Sequence, residues 1–315
     1  MSDQAVKDQI NDLAQDTSSG AVEVAHRGAV VMTTLAERTE ATELASFRQE
    51  VAETGRLLIR SQPSMAPLFN LVNSVLWSVD DARDPKEARQ RVGDAARSFA
   101  DALTSASEKI ASEALDLISP GATVLTHSRS STVLMALLSA KVAGRDTRAV
   151  CTESRPLYEG RTVAEELSGA GIPTTLVTEG GVGWVMEGVD LVLVGADTVC
   201  LKGLVNKTGT YGLAVAARAR GIPFYTLCGT EKFLPGDYPH FEIERKDPEE
   251  VWPGHPPGVT VLNYYFDVTP LEYVGGLVTE KGLLKAEELE KRLAELRIHE
   301  ALLLEAEDRG RIERE

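Results

Sequence analysis

Ser119-Pro120-Gly121-Ala122-Thr123-Val124-Leu125-Thr126-His127-Ser128 is the stretch at which the chain changes texture. A Pro-Gly break leads into a short apolar run, and the run ends in hydroxyls. From here apolar runs of about five residues alternate with helical segments. The runs are residues 123–126, 148–152, 174–178, 191–195, 224–227 and 259–264. Between them residues 131–143, 162–170, 183–187 and 210–220 read as helices, each closing near a glycine as a helix C-terminus does. Continuous Val/Leu/Ile-rich runs, each followed by a helix, predict a parallel sheet covered on both faces, a doubly wound α/β domain.

Working back from Ser119, the period is helical. Apolar residues recur at three- and four-residue steps in Val92, Ala96, Phe99 and Leu103, and again in Ile110, Ala114 and Leu117. Residues 23–38 and 44–60 behave the same way, and Asp84-Pro85 is a helix start. Working forward, residues 285 to about 305 read as an acidic, leucine-rich amphipathic helix. It either packs on its own sheet or serves a subunit contact. Residues from 307 on read as a frayed, charged end. The expected organisation is a helical N-terminal domain, residues 1–119, and an α/β domain, residues 120–315.

At 315 residues the chain is long enough for two cores, and 43% apolar residues exclude general disorder. A formal charge of −15 works against nucleic acid as a partner, because phosphate backbones need a basic face. Cys151, Cys200 and Cys228 form no CxxC pair and read as small core residues of a reduced, cytoplasmic protein. No apolar run reaches the ~18 residues of a membrane span and no leader opens the chain, so no membrane contact is expected. No metal and no cofactor are expected either.

In open α/β sheets the ligand lies beyond the carboxyl ends of the strands. The residues that follow the runs are Thr126 to Ser131, Thr152-Glu153-Ser154-Arg155-Pro156, Thr178-Glu179-Gly180-Gly181, Gly195-Ala196-Asp197, Cys228-Gly229-Thr230-Glu231-Lys232 and Asp267-Val268-Thr269-Pro270. Hydroxyls, carboxylates and cations thus gather on one edge, where a site is expected. The stretch from His127 to Ser131 opens a helix, which suits either an anion at the free N–H groups or simple capping by Ser130 or Ser131. Asn206-Lys207-Thr208-Gly209-Thr210 opens another, and its cation can meet a phosphate or keep Asp197 ionised; it lacks Walker-loop spacing. Upstream, Arg27-Gly28-Ala29 puts a glycine inside a helix at a cost of about 1 kcal/mol relative to alanine. Either a neighbouring helix or a ligand comes close there.

Together these pieces resemble a family that contains the α, β and δ subunits of eukaryotic translation initiation factor 2B, ribose-1,5-bisphosphate isomerase and methylthioribose-1-phosphate isomerase. The resemblance spans residues 27 to 281 and rests on Arg27-Gly28-Ala29, the stretch from Gly121 to Ser128, and Thr152 to Pro156. It continues through Gly195-Ala196-Asp197, Asn206 to Thr210, Glu231-Lys232-Phe233 and Phe266 to Pro270. It implies a helical N-terminal domain, a Rossmann-like C-terminal domain and a ligand cleft between them. In the isomerases a cysteine at the position of Ser128 and an acid at that of Asp197 move protons as the sugar ring opens. The resemblance also implies ligand contacts from Arg27, Gly28, Ala29, Gln62, Arg155, Glu159, Asn206 and Lys207.

This sequence departs from the isomerase pattern at three of these positions. Ser128 stands for the cysteine, and a hydroxyl is far harder to ionise than a thiol. Gln62 stands for an arginine, and Glu159 for a glutamine. Losing a cation and gaining an anion should weaken binding of a doubly phosphorylated sugar. The reading drawn from this is an initiation-factor-2B-α-like protein that binds a phosphorylated sugar or nucleotide without thiol-dependent chemistry. The alternative is an aldose–ketose isomerase of a phosphorylated pentose with Asp197 as principal acid/base and Ser128 or Glu159 replacing the thiol. Pairing into a homodimer or a higher even-numbered oligomer is implied by the resemblance.

Overall fold

The computed structural model describes residues 3–236, 238 and 241–303. The chain divides into two compact units. One holds Met1–Thr104 with Glu231–Glu242 and Leu293–Glu315, the other Ser105–Thr230 with Ile243–Arg292.

The first unit is helical. α1 (Gln4–Ala14), α2 (Ala21–Arg38), α3 (Leu44–Ser61) and α4 (Ala66–Asp80) pack on one another, and α5 (Pro85–Ala114) carries the chain onward into the second unit. Their inward stripes are the apolar three-and-four-step positions: Val24, Met32 and Leu35 on α2, Phe47, Val51 and Leu58 on α3, Leu68, Leu71 and Val75 on α4. α1 and α4 were not singled out in the sequence. The two repeats noted between residues 92 and 117 fall chiefly on the single helix α5.

The second unit contains β1 (Thr123–Thr126), α6 (Ser131–Val142), β2 (Arg148–Thr152), α7 (Glu159–Gly169), β3 (Thr174–Val177), α8 (Val182–Val185) and β4 (Leu191–Val194). There follow β5 (Thr198–Cys200), β6 (Gly203–Lys207), α9 (Thr210–Arg220), β7 (Phe224–Leu227), β8 (Phe266–Thr269), β9 (Gly276–Thr279), β10 (Gly282–Leu284) and α10 (Ala286–Ala294). Seven strands form one sheet in the order β10-β9-β7-β4-β1-β2-β3, parallel except for β10. Val124, Ala149, Cys151, Leu191 and Leu193 meet α6, α7 and the end of α5 in one core. The alternate residues Leu125, Val192 and Val194 are also fully buried. Burial on both faces explains why the runs carry no period-2 alternation, and each such aliphatic side chain is worth roughly 1.5–3 kcal/mol. The α/β class read from the sequence is the fold of this unit.

Two expectations are corrected. Residues 259–264 are not a sixth sheet strand. They form no strand beyond one bridge between Tyr264 and Arg245, and Leu262 is 61% exposed. The Asn263 amide is instead spent on Asp247 O and Glu250 Oε2. The extra parallel strand is β9, which opens on Gly276 directly after Gly275 and so lacks a full apolar run, while Phe266–Thr269 joins β5 and β6 in a separate three-stranded antiparallel sheet. Strand preference reports fit to a half-buried pleated surface, and only the tertiary neighbours supply that surface. The second correction concerns the last helix, which ends at Ala294. Further on, Asn73 takes both Arg297 O (2.9 Å) and the His299 N–H (2.8 Å), replacing helical partners, and a short turn forms at Glu300–Leu302. Residues 304 and 305, like the charged end from 307, lie outside the described residues. No helix among the described residues is long and apolar enough to cross a membrane.

Candidate active site

Strand order fixes where the second unit can hold a ligand. The chain runs outward from β1 through β2 to β3, then returns to place β4 on the other side of β1. The crevice outside the carboxyl ends of β1 and β4 is therefore the switch point of the sheet. Ser128 follows β1 by two residues, and Asp197 follows β4 by three. The Asp197 N–H donates to Val205 O (2.9 Å), which sets this half-buried residue at the root of the β5–β6 hairpin. Lys207 is the last residue of β6.

At this crevice three of the expected residues form one bonded line. Ser128 Oγ donates to Glu159 Oε1 (2.9 Å), and the same oxygen accepts from Lys207 Nζ (2.8 Å). The Lys207 and Glu159 side chains are 6% and 13% exposed, so the ion pair is shielded from solvent. Glu159 Oε2 is buried and has no hydrogen-bond partner among the described residues. Such an orphan acceptor costs on the order of 1–3 kcal/mol and calls for a functional explanation. Lys207 Nζ also lies 4.9 Å from the Tyr265 ring centroid. Burial, then the hydrogen bond to Glu250, push the Tyr265 phenol up, so it stays a neutral donor.

Local structure aims these groups. Ser128 has φ 66°, a left-handed conformation, and its N–H donates to Ser154 Oγ (2.8 Å). Ser154, at φ 64°, donates its own N–H to Glu179 Oε1 (2.5 Å). Glu159 is the first residue of α7, where free N–H groups favour a carboxylate. Next to it, Gly160 lies so near the last residue of β2 that a Cβ there would stand 1.8 Å from Thr152 O. Only glycine lets α7 start here, and so only glycine lets Glu159 reach Ser128.

His127 does not join Ser128. Its Nε2 lies 3.0 Å from Thr208 O and its Nδ1 2.5 Å from Thr152 Oγ1. A carbonyl only accepts, so Nε2 carries the hydrogen and Nδ1 accepts from the threonine hydroxyl. Burial holds the imidazole below its usual pKa and outweighs the Thr208 bond and the Glu179 charge, which pull the other way. The ring is neutral and committed. Ser130 caps α6 through Val133 N (3.3 Å), as the capping reading had it. Asn206 Nδ2 donates to Thr210 Oγ1 (3.0 Å), and Thr210 in turn donates to Lys207 O (2.6 Å), which ties β6 to the start of α9. Arg155 Nη2 donates to Val251 O (3.1 Å) and its guanidinium lies 5.1 Å from the Tyr158 ring.

In the first unit, Arg27 pairs with Asp16, and Gln62 Nε2 donates to Leu13 O and Asp16 O, both at 2.8 Å. These two expected ligand residues therefore meet at the turn that follows α1. Gly28 faces α4, where a Cβ would stand 2.6 Å from Leu68 Cδ2, and Ala29 is buried. Helix packing accounts for that glycine. Asp16 carried no expectation, although Asp16-Thr17-Ser18-Ser19 has the composition of a side-chain-capped turn. Burial alone would raise its pKa, but hydrogen bonds from Ser19 and Ser18 outweigh burial and hold it at about 2.

The model of the initiation factor 2 subunit family matches residues 17–286. The chain belongs to that family. Among family members, the ribose 1,5-bisphosphate isomerase of Methanocaldococcus jannaschii is 35% identical over 76% of this chain and 78% of its own length. The protein of the same name from Archaeoglobus fulgidus is 34% identical over 85% and 86%. Among solved structures, a Pyrococcus horikoshii translation initiation factor eIF-2B superposes with a TM-score of 0.80 at 30% identity, covering 90% of this chain and 98% of that one. In this family member the switch-point crevice carries Ser128, Glu159 and Lys207 as one line, with Asp197 three residues beyond the neighbouring strand β4.

Proposed function

We propose that the chain is an aldose–ketose isomerase of a phosphorylated pentose, with ribose 1,5-bisphosphate as the first substrate to try. The observation that carries the reading is the buried Ser128–Glu159–Lys207 line at the switch point between β1 and β4. Relatives named ribose 1,5-bisphosphate isomerase, at up to 35% identity, support this reading better than the binding-only one. The reaction needs no oxidant. One hydrogen moves from C2 to C1, the C2 hydroxyl gives up its proton to become the carbonyl, and the ring oxygen takes a proton as its bond to C1 breaks. Two groups must therefore trade protons with one substrate. Asp197 is assigned the principal acid/base role, with Ser128 or Glu159 in the second. Arg27, Arg155, Asn206 and Lys207 are assigned to ligand binding, together with Gln62. The three cysteines, read as reduced core residues, put the protein in the cytoplasm, and the family likeness suggests that it pairs into a homodimer or a higher even-numbered oligomer.

Purified protein incubated with ribose 1,5-bisphosphate and followed by NMR should form the ketose, and Asp197→Asn should stop it. A folded wild-type protein that yields no ketose refutes the proposal and returns the chain to the binding-only reading. Arg27→Ala should raise KM for the phosphorylated sugar while leaving a folded protein.

A further inference from the structure

We infer that Glu159 is the group that receives the proton leaving the sugar hydroxyl, with Ser128 Oγ as the relay between them. This rests on the isomerase reading and decides which of the two candidates holds the proton. In the structure the Ser128 hydroxyl already donates to Glu159 Oε1 at 2.9 Å, the direction of a base poised to accept. When the hydroxyl at C2 becomes a carbonyl, its O–H bond breaks and the proton goes to Ser128 Oγ. The bond between Oγ and the serine's own hydrogen breaks in the same step, and that hydrogen goes to Glu159 Oε1. Ser128 ends unchanged and Glu159 ends protonated; its proton then passes to solvent, which returns one to the group that protonated the ring oxygen, so both groups are reset and the product carbonyl is left intact.

Several observations set Glu159 apart from other groups in this unit. Lys207 Nζ, 2.8 Å away, stabilises the carboxylate before it accepts. Glu159 Oε2 is buried without a partner among the described residues, so the carboxylate is not saturated with donors there. The neighbouring His127 is bound at both ring nitrogens to Thr152 and Thr208. No cysteine is available as an alternative: all three are buried, and burial pushes the Cys151 thiol up to about 12 and the Cys200 thiol upward as well. The carboxylate bonded to Ser128 is thus the group with both the position and the capacity to take a proton.

Glu159→Gln separates this role from a structural one. The amide keeps an oxygen for both Ser128 and Lys207 but cannot take a proton. With ribose 1,5-bisphosphate, E159Q should lose about 10²- to 10⁴-fold in kcat with KM within a few-fold, and Glu159→Asp should regain part of the loss. Ser128→Ala, which leaves the ion pair intact, should fall by a comparable factor. The S128A/E159Q double variant should be no slower than the slower single, because both break one relay. If Glu159 merely neutralises Lys207, E159Q keeps its kcat and binds the phosphorylated sugar more tightly, which overturns the inference. Losses that multiply in the double variant overturn it too. A wild-type protein without turnover sinks the isomerase reading, and this inference with it. Wild-type turnover together with an active E159Q sinks the inference alone.

Discussion

Asp267 shows how a single side chain can work against the fold at neutral pH. Its Oδ2 accepts from Gly209 N (2.7 Å) and Tyr211 N (3.2 Å) at the start of α9, yet burial pushes its pKa from 3.8 up to about 6. Between those values the folded protein holds a proton that the unfolded chain has released. Stability from this group therefore falls as pH rises from about 4 to about 6. Asp267→Asn keeps a capping oxygen and removes the titration. Relative to the variant, wild type should lose on the order of 1–3 kcal/mol between pH 4 and pH 7 in urea unfolding, and a pH-independent difference would reject the assignment. Asp16 has the opposite sign, because its folded pKa of about 2 lies below the ordinary value. The advantage of wild type over Asp16→Asn should be complete above about pH 4 and close as pH falls toward 2. The strand-tip rule brought Ser128 and Asp197 into view from sequence, and the polar loop that opens α9 brought Lys207. Neither could reveal that Glu159 binds two of the three, because that pairing depends on how α7 meets the end of β2.

Helix α7 shows the same limit at the scale of an element. Its period and its glycine-rich end are legible in the sequence, but the apolar period places its start at Thr162, three residues late. Tyr158 precedes the helix at φ 61° and Glu159 opens it, a start that no residue preference marks. The cost of that start falls on Gly160. Gly160→Ala would drive a Cβ into Thr152 O, a backbone atom that cannot step aside, and should destabilise by about 3 kcal/mol or more while misplacing Glu159. Gly169→Ala, at the other end of the helix, meets nothing within 4 Å and should be neutral or stabilise by up to about 1 kcal/mol. Thermal melts of the two variants test the contrast, and equal effects would reject the steric role given to Gly160. The antiparallel β5-β6-β8 sheet escaped the sequence for a related reason. Its strands are three to five residues long, and their meaning lies in pairings across the chain.

For the whole molecule, the charge of −15 acts as self-repulsion that salt screens. The melting temperature should rise between 10 mM and 150 mM sodium chloride, and a fall would mean that favourable surface ion pairs dominate. The same charge should leave the protein without affinity for duplex DNA at physiological salt, as a gel-shift titration can check.

Sequence alone determined the helical first part, five strands of the large sheet and the polar edge at which a site belongs. Those features are written in neighbouring residues, as a period or as the chemistry at a strand tip, and need no distant partner to be read. Tertiary structure decided which polar residues meet. Ser128 and Glu159 are 31 positions apart, and Lys207 arrives from a second sheet. A hydrogen bond between them exists only once strand order and the approach of α7 to β2 have brought the three within 3 Å of their neighbours.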